Sequence, residues 1–273
     1  MLRIIADSTC DISKEDARKM GIQIVPISVR FGDEEFLDGV EITHEEFYTR
    51  LAECDELPKT SQPSPDTFMK VFNEAVAAGD DVLGIFISSD LSGTYQSACL
   101  AALDVEEETR KKLYMVDSRS ASIGTALLIR EAVKLRDAGV NVSDIAAACT
   151  EMSKYIKLTA VVGSLKYLKM GGRLSGAAAF AGTMLHITPV VSIEDGKVVV
   201  IGKTRGKKAA EKLMHDKLIK DGLSLTRDFM FGHINCSESL ETFINKSLTY
   251  ISDVNGNVGV SSIGCSVGTH VGP

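Results

Sequence analysis

The 273-residue sequence has no surplus of basic residues: 37 Asp and Glu outnumber 30 Lys and Arg, leaving a net charge of −7. The diffuse positive field that displaces phosphate counterions is therefore missing, and nucleic acid is not expected as a partner. Long apolar runs are missing as well. The longest, Ala177 to Leu185, is interrupted by Gly182 and Thr183 and falls far short of the roughly 20 residues needed to span a bilayer. The opening Met1-Leu-Arg-Ile-Ile-Ala-Asp7 has a short apolar stretch that meets an acid at once, unlike a secretory leader, so a cytoplasmic location is expected. The cysteines at 10, 54, 99, 149, 236 and 265 include no Cys-x-x-Cys pair and have no histidine at finger spacing. They are expected as buried small hydrophobes, with no structural zinc site and no metal assigned. No repeat at a spacing of roughly 20 to 50 residues suggests a solenoid.

A hydrophobic content of 44% with 25% charged residues marks a globular chain, and its length favours two domains over one. The first strand reads Leu2 to Ala6; a polar turn, Asp7 to Ser13, then leads into a helix near Lys14 with Ser13 as N-cap. Ile22 to Val29 is a second β-rich run, Phe31 to Phe36 a hairpin excursion, and Thr43 to Ala52 a helix. A loop, Leu57 to Pro65, precedes a helix reaching about Ala78. Asp81 to Ile87 is too continuously apolar for a half-exposed strand and reads as a buried parallel one. Strands and helices alternate to about Lys154, which predicts a parallel sheet covered on both faces. Past residue 157 the texture changes: a glycine-rich stretch, then alternating runs on either side of Asp195-Gly196, a strong hairpin signal. The expectation is an α/β chain of two domains. Residues 1–160 form a parallel-sheet αβα domain with a small insertion near 30–58, and residues 161–273 form an α+β domain.

Three polar loops lie where strands end or helices begin, which is where ligands bind in open α/β sheets. In Ser88-Ser-Asp-Leu-Ser-Gly-Thr-Tyr95, Ser92 and Gly93 directly precede a helix whose free amides suit a carboxylate or phosphate; the alternative is an ordinary N-cap. Thr60-Ser61-Gln62-Pro63 brings two more hydroxyls ahead of a helix, or simply a capped loop. Asp7 and Asp11 could form a metal or acid/base pair, although Asp11 also suits a helix-start turn. Gly171-Gly-Arg-Leu-Ser175 offers an anion-binding nest with Arg173 but lacks the ending of a P-loop. His270 lies among glycines and hydroxyls, where it can bond a carboxylate or act as a base. A serine hydrolase with Ser92 as nucleophile and His270 as base is the enzyme alternative, without a Gly-x-Ser-x-Gly elbow.

These loops, with Val116-Asp-Ser118, Leu165 to Ser175, Glu194-Asp-Gly196 and His270-Val-Gly-Pro273, occur in an order and spacing that resembles the DegV family of bacterial fatty-acid-binding proteins, which includes the binding subunits of fatty acid kinase. The resemblance covers essentially the whole chain. It implies a non-catalytic, two-domain lipid-binding protein without a cofactor, enclosing one long-chain fatty acid between its domains. The implied carboxylate-binding residues are Thr60, Ser61, Ser92, Gly93 and His270. It further implies that a separate ATP-dependent kinase converts the presented carboxylate to an acyl phosphate for phospholipid synthesis. Arg173 and Arg205 are candidate contacts for that kinase, and transient contact with a membrane surface belongs to the same picture. The run Ala177 to Leu185 followed by Ile187 is a candidate cavity wall, or an ordinary buried helix.

Overall fold

A computed structural model describes residues 1–175, 187–224, 226–234, 236–250 and 256–273. Its N-terminal half is built on four parallel strands, β1 (Leu2–Asp7), β2 (Ile22–Val25), β6 (Asp81–Phe86) and β7 (Tyr114–Asp117), in the order β2-β1-β6-β7. Side chains alternate across β1. Ile4 and Ala6 join Leu83, Ile85 and Val116 under α5 (Ile123–Asp137) and α6 (Val142–Met152), with Met20 of α1 (Lys14–Met20) at the edge. Ile5 faces the other way, with Val82 and Phe86, under α3 (Pro65–Ala77) and α4 (Thr94–Thr109). Burial on both faces accounts for the apolar continuity of β1 and β6. The expected strand Ile22 to Val29 is two strands. Pro26 cannot donate to a ladder, so β2 ends at Val25 and β3 (Ser28–Phe31) leaves the main sheet.

β3 is the centre of a small antiparallel sheet, flanked by β4 (Glu34–Leu37) and by β5 (Lys59–Ser61), a strand inside the expected loop. α2 (His44–Glu53) covers this sheet and begins in a capping box formed by Thr43 and Glu46.

In the second half, β8 (Leu158–Val161), β9 (Thr188–Glu194) and β10 (Lys197–Thr204) form an antiparallel sheet. Asp195 and Gly196 make the tight turn between β9 and β10 with φ of 48° and 80°, the positive pair that a two-residue hairpin requires. The tip of this hairpin rests on the N-terminal half: Ser88 Oγ donates to the Gly196 carbonyl at 2.8 Å, and Arg119 pairs with Asp195 at 3.0 Å. α8 (Lys207–Lys220) packs on the antiparallel sheet through Ala210 and Met214. β11 (Phe229–His233) and β12 (Val258–Ser262), joined through α9 (Ser237–Tyr250), pair in parallel beside α5. Between β8 and β9 lies the short α7 (Lys166–Met170). The last element, α10 (Cys265–Val271), returns to the start of the chain and packs against α2, β3, β5 and α7. No helix among the described residues is long and apolar enough to cross a membrane. The candidate wall 177–185 lies outside the described residues.

The N-terminal core centres on Phe68, Phe72 and Phe86, with ring centroids 5.8 and 5.1 Å from Phe68. Phe68→Ala is expected to cost about 3–5 kcal/mol through lost transfer energy and a residual cavity. Urea unfolding should show a lower midpoint at unchanged slope, and a loss below about 1 kcal/mol would mean that the site collapses to fill the space.

Candidate functional site

The site begins with the way the chain's end is fastened to its beginning. Asp11 Oδ1 accepts the Gly264 amide at 2.9 Å, while the two oxygens of Asp38 accept the amides of Cys265 and Ser266, each at 3.1 Å. Tyr48 adds a hydrogen bond from its hydroxyl to the Ile263 carbonyl at 3.1 Å. Asp11 therefore serves as an anchor for the tail and as the left-handed stop of the Ser8–Cys10 turn, with φ of 52°. Once α10 is fastened, His270 stands beside β5, and its Nε2 is 3.0 Å from Thr60 Oγ1.

Ser92 enters from the loop between β6 and α4, its hydroxyl 2.8 Å from that of Thr94. Arg173 closes the same corner, donating from Nε to the Leu91 carbonyl at 3.1 Å and from Nη1 to the Gly171 carbonyl at 2.6 Å. Gly171 itself is pressed against His270, because a Cβ there would collide with Nδ1. Burial, reinforced by the Arg173 guanidinium, pushes the His270 imidazole down to about 4 and keeps it neutral at physiological pH. Its Nδ1 has no hydrogen-bond partner among the described residues. Among the described residues the arrangement is not a triad: no carboxylate orients His270, and the Ser92 hydroxyl bonds Thr94.

Thr60, Ser92, His270 and Arg173 all line one cavity of about 1130 Å³ between the parallel sheet and the C-terminal sheets. That volume exceeds the roughly 300–1,000 Å³ common to small-molecule sites. Its walls are mostly aliphatic and aromatic: Ile87 and Leu127 from the first half, and Val191, Met214, Phe231 and Phe243 from the second. On the tail, Ile263, Ser266, Val267, His270 and Val271 line it as one stripe, the i, i+3, i+4 spacing of a helix face. Of the expected site residues, Ser61 is exposed and Gly93 caps α4, and neither lines the cavity. Gly93 lies against Gln62, which a Cβ would displace. Arg205 is exposed in the turn before α8 and does not line the cavity, whereas Arg173 is half-buried and does. Sequence reasoning offered Arg173 as an anion-nest residue and a kinase contact, gave Gln62 no role of its own, and named as cavity wall only the run 177–185 with Ile187, of which 177–185 lies outside the described residues. The wall residues come from many elements and carry no local signal.

Fold and site define a two-part α/β protein with a large, mostly apolar cavity, one corner of which brings together Thr60, Ser92, His270 and Arg173. The chain belongs to the DegV family: the family model described as "Uncharacterised protein, DegV family COG1307" matches residues 1–273. A DegV domain-containing protein of Clostridium perfringens is 35% identical over 281 residues, covering 100% of this chain and 95% of the relative. Among solved structures, a fatty-acid-binding DegV family protein from Thermus thermophilus superposes with a TM-score of 0.88 at 30% identity, covering 100% of this chain and 96% of that one. A stearic-acid-binding protein from Eubacterium ventriosum gives 0.89 at 30% identity, covering 100% and 95%.

The depressed His270 pKa carries a pH dependence. Between its ordinary 6.5 and about 4 in the fold, the unfolded chain binds a proton that the folded chain excludes, so stability falls as pH drops through that window. The full loss is on the order of 3 kcal/mol. Burial raises Asp7 and Asp11, which act in the opposite sense, so the comparison is wild type against His270→Gln at each pH. Urea unfolding of lipid-free protein at pH 7 and 4.5 should show a smaller acid-induced loss in the variant. Parallel losses would mean that His270 titrates normally.

Proposed function

We propose that this protein binds a long-chain fatty acid, with its acyl chain along the apolar cavity and its carboxylate at the corner formed by Thr60, Ser92, His270 and Arg173. The observation that carries the reading is a mostly apolar cavity at one corner of which the hydroxyls of Thr60 and Ser92, the His270 imidazole and the Arg173 guanidinium come together. Each buried methylene contributes about 0.8 kcal/mol, so the chain supplies most of the affinity while the corner fixes which end enters. Hydroxyls and one arginine can hold a carboxylate without attacking it, and no nucleophile is needed. The DegV relatives described as fatty-acid-binding proteins support the same ligand class. In this reading residues 1–160 and 161–273 supply facing walls, and α10 crosses back to complete the head.

The finer proposal is that the protein is the non-catalytic partner of a separate ATP-dependent kinase, to which it presents the carboxylate. Arg205, exposed in the turn before α8, is the proposed contact, while Arg173 would face the phosphoryl group as it arrives.

Ser92→Ala and Thr60→Ala should each weaken fatty acid binding by about 1.5–3 kcal/mol, the range of a charge-assisted hydrogen bond, or roughly tenfold to over a hundredfold. Competition titration of lipid-free protein with hexadecanoate, and native mass spectrometry of freshly purified protein, read this directly. Unaltered affinity in both variants would remove the corner from the binding site, and a wild type that takes up no fatty acid would sink the reading as a whole. Arg205→Ala should leave lipid affinity unchanged and slow acyl phosphate formation when a cognate kinase is supplied. Equal rates would exclude Arg205 from the contact.

A further inference from the structure

Behind the cavity, three carboxylates are buried together: Asp7, Asp11 and Asp38 are 0%, 5% and 3% exposed. Among the described residues no lysine or arginine pairs with them. Their hydrogen bonds come from the amides of Thr9, Ile87, Gly264, Cys265 and Ser266 and from the hydroxyls of Ser8, Thr9 and Ser122. Burial raises the proton affinity of Asp7 and Asp11, and repulsion from Asp38 adds to it in both. Buried negative charge without a cationic partner is costly, and the cluster lacks a countercharge.

Two softer ligands face the same place. His44, at the start of α2, has its ring oriented by a contact of 3.3 Å between Nδ1 and Ser262 Oγ, leaving Nε2 to face inward. Cys265, the first residue of α10, is fully buried, its thiol donating to the Thr43 carbonyl at 3.9 Å and its amide to Asp38. One ligand atom from each of Asp38, His44 and Cys265 lies within 4.8 Å of the other two. Gly264 leaves the space between them open. A Cβ at that position would stand 2.9 Å from Asp11 Oδ1, 3.2 Å from His44 Nε2 and 3.5 Å from Asp38 Oδ1.

We propose that Asp38, His44 and Cys265 form a binding site for a zinc-class divalent cation, with Asp11 or a water as fourth ligand. The donor set selects the metal: one thiolate, one imidazole and carboxylate oxygen suit four-coordinate zinc, whereas calcium and magnesium require shells of oxygen. Binding replaces the S–H bond of Cys265 by a sulfur–metal bond and releases that proton to solvent. The Ser262 hydroxyl beneath the imidazole acts as the outer partner that orients a ligating histidine. The ion would join the loop after β4, the start of α2 and the start of α10, tightening the clasp that carries His270. Its role is structural, and it is independent of the ligand in the cavity.

The test uses the full chain, purified with a chelator and titrated with Co(II) and then Zn(II). One equivalent of Co(II) should produce a thiolate-to-metal band in the near ultraviolet together with the strong visible bands of a four-coordinate ion, and Zn(II) should abolish both while raising the melting temperature. Cys265→Ser should remove the thiolate band, and both Cys265→Ser and His44→Gln should weaken binding by at least about tenfold, since loss even of an outer-shell partner costs that much. A wild type without the thiolate band overturns the proposal. So does an unchanged titration in Cys265→Ser, which would place the metal on another thiol such as the exposed Cys236. If Cys265→Ser does not fold, the half-buried His44→Gln decides alone.

Discussion

The structure depends on two buried carboxylates that receive backbone amides from the far end of the chain. Asp11 and Asp38 reach across 253 and 227 residues to Gly264 and Cys265. A buried amide without a partner is expensive, so these bonds specify where α10 sits rather than merely adding to its stability. The apolar part of the docking follows: Cys265 enters the cluster of Phe47, Tyr48 and Leu51, and Gly268 lets the rings of Phe47 and Tyr48 come close. Misplacing α10 would leave carboxylates, amides and an aromatic face all unmatched.

Everything at the polar corner inherits that register. His270 meets Thr60 only because α10 crosses beside β5, and β5 exists only because its backbone pairs with β3. Arg173 joins them by bonding the Leu91 carbonyl, which ties the loop of Ser92 to the glycine turn after α7. The corner is built mainly from neutral donors and acceptors around one half-buried cation. Such an environment favours an anion entering from the apolar side while holding the imidazole uncharged.

Much of this arrangement was legible in the chain. The continuous apolar strand Asp81–Phe86 and the alternation around it specified a parallel sheet, and Asp195-Gly196 specified a hairpin turn. Thr60, Ser92 and His270 stood out because hydroxyls and a histidine beside glycines mark loop positions, and all three line one cavity. Pro26 carried information that the apolar run around it concealed, since a missing N–H ends a ladder that hydrophobicity alone would continue. Ser61 shows the opposite limit. Its neighbour Thr60 lines the cavity while Ser61 is exposed, and that choice is set by strand alternation in β5, an element with no signature of its own.

Local conformation, the class of fold and the residue types able to hold an anion are set along the chain, because they follow from periodicity, turn chemistry and capping over short spans. Which of those residues meet is settled by the packed fold. Asp38, His44 and Cys265 have no spacing that suggests a cluster, the cavity walls are ordinary core residues of many elements, and Arg173 reads equally well as a surface cation. The reason is physical: proximity between residues hundreds of positions apart comes from the packing of whole elements and the pairing of buried polar groups, and neither is written in the residues nearby.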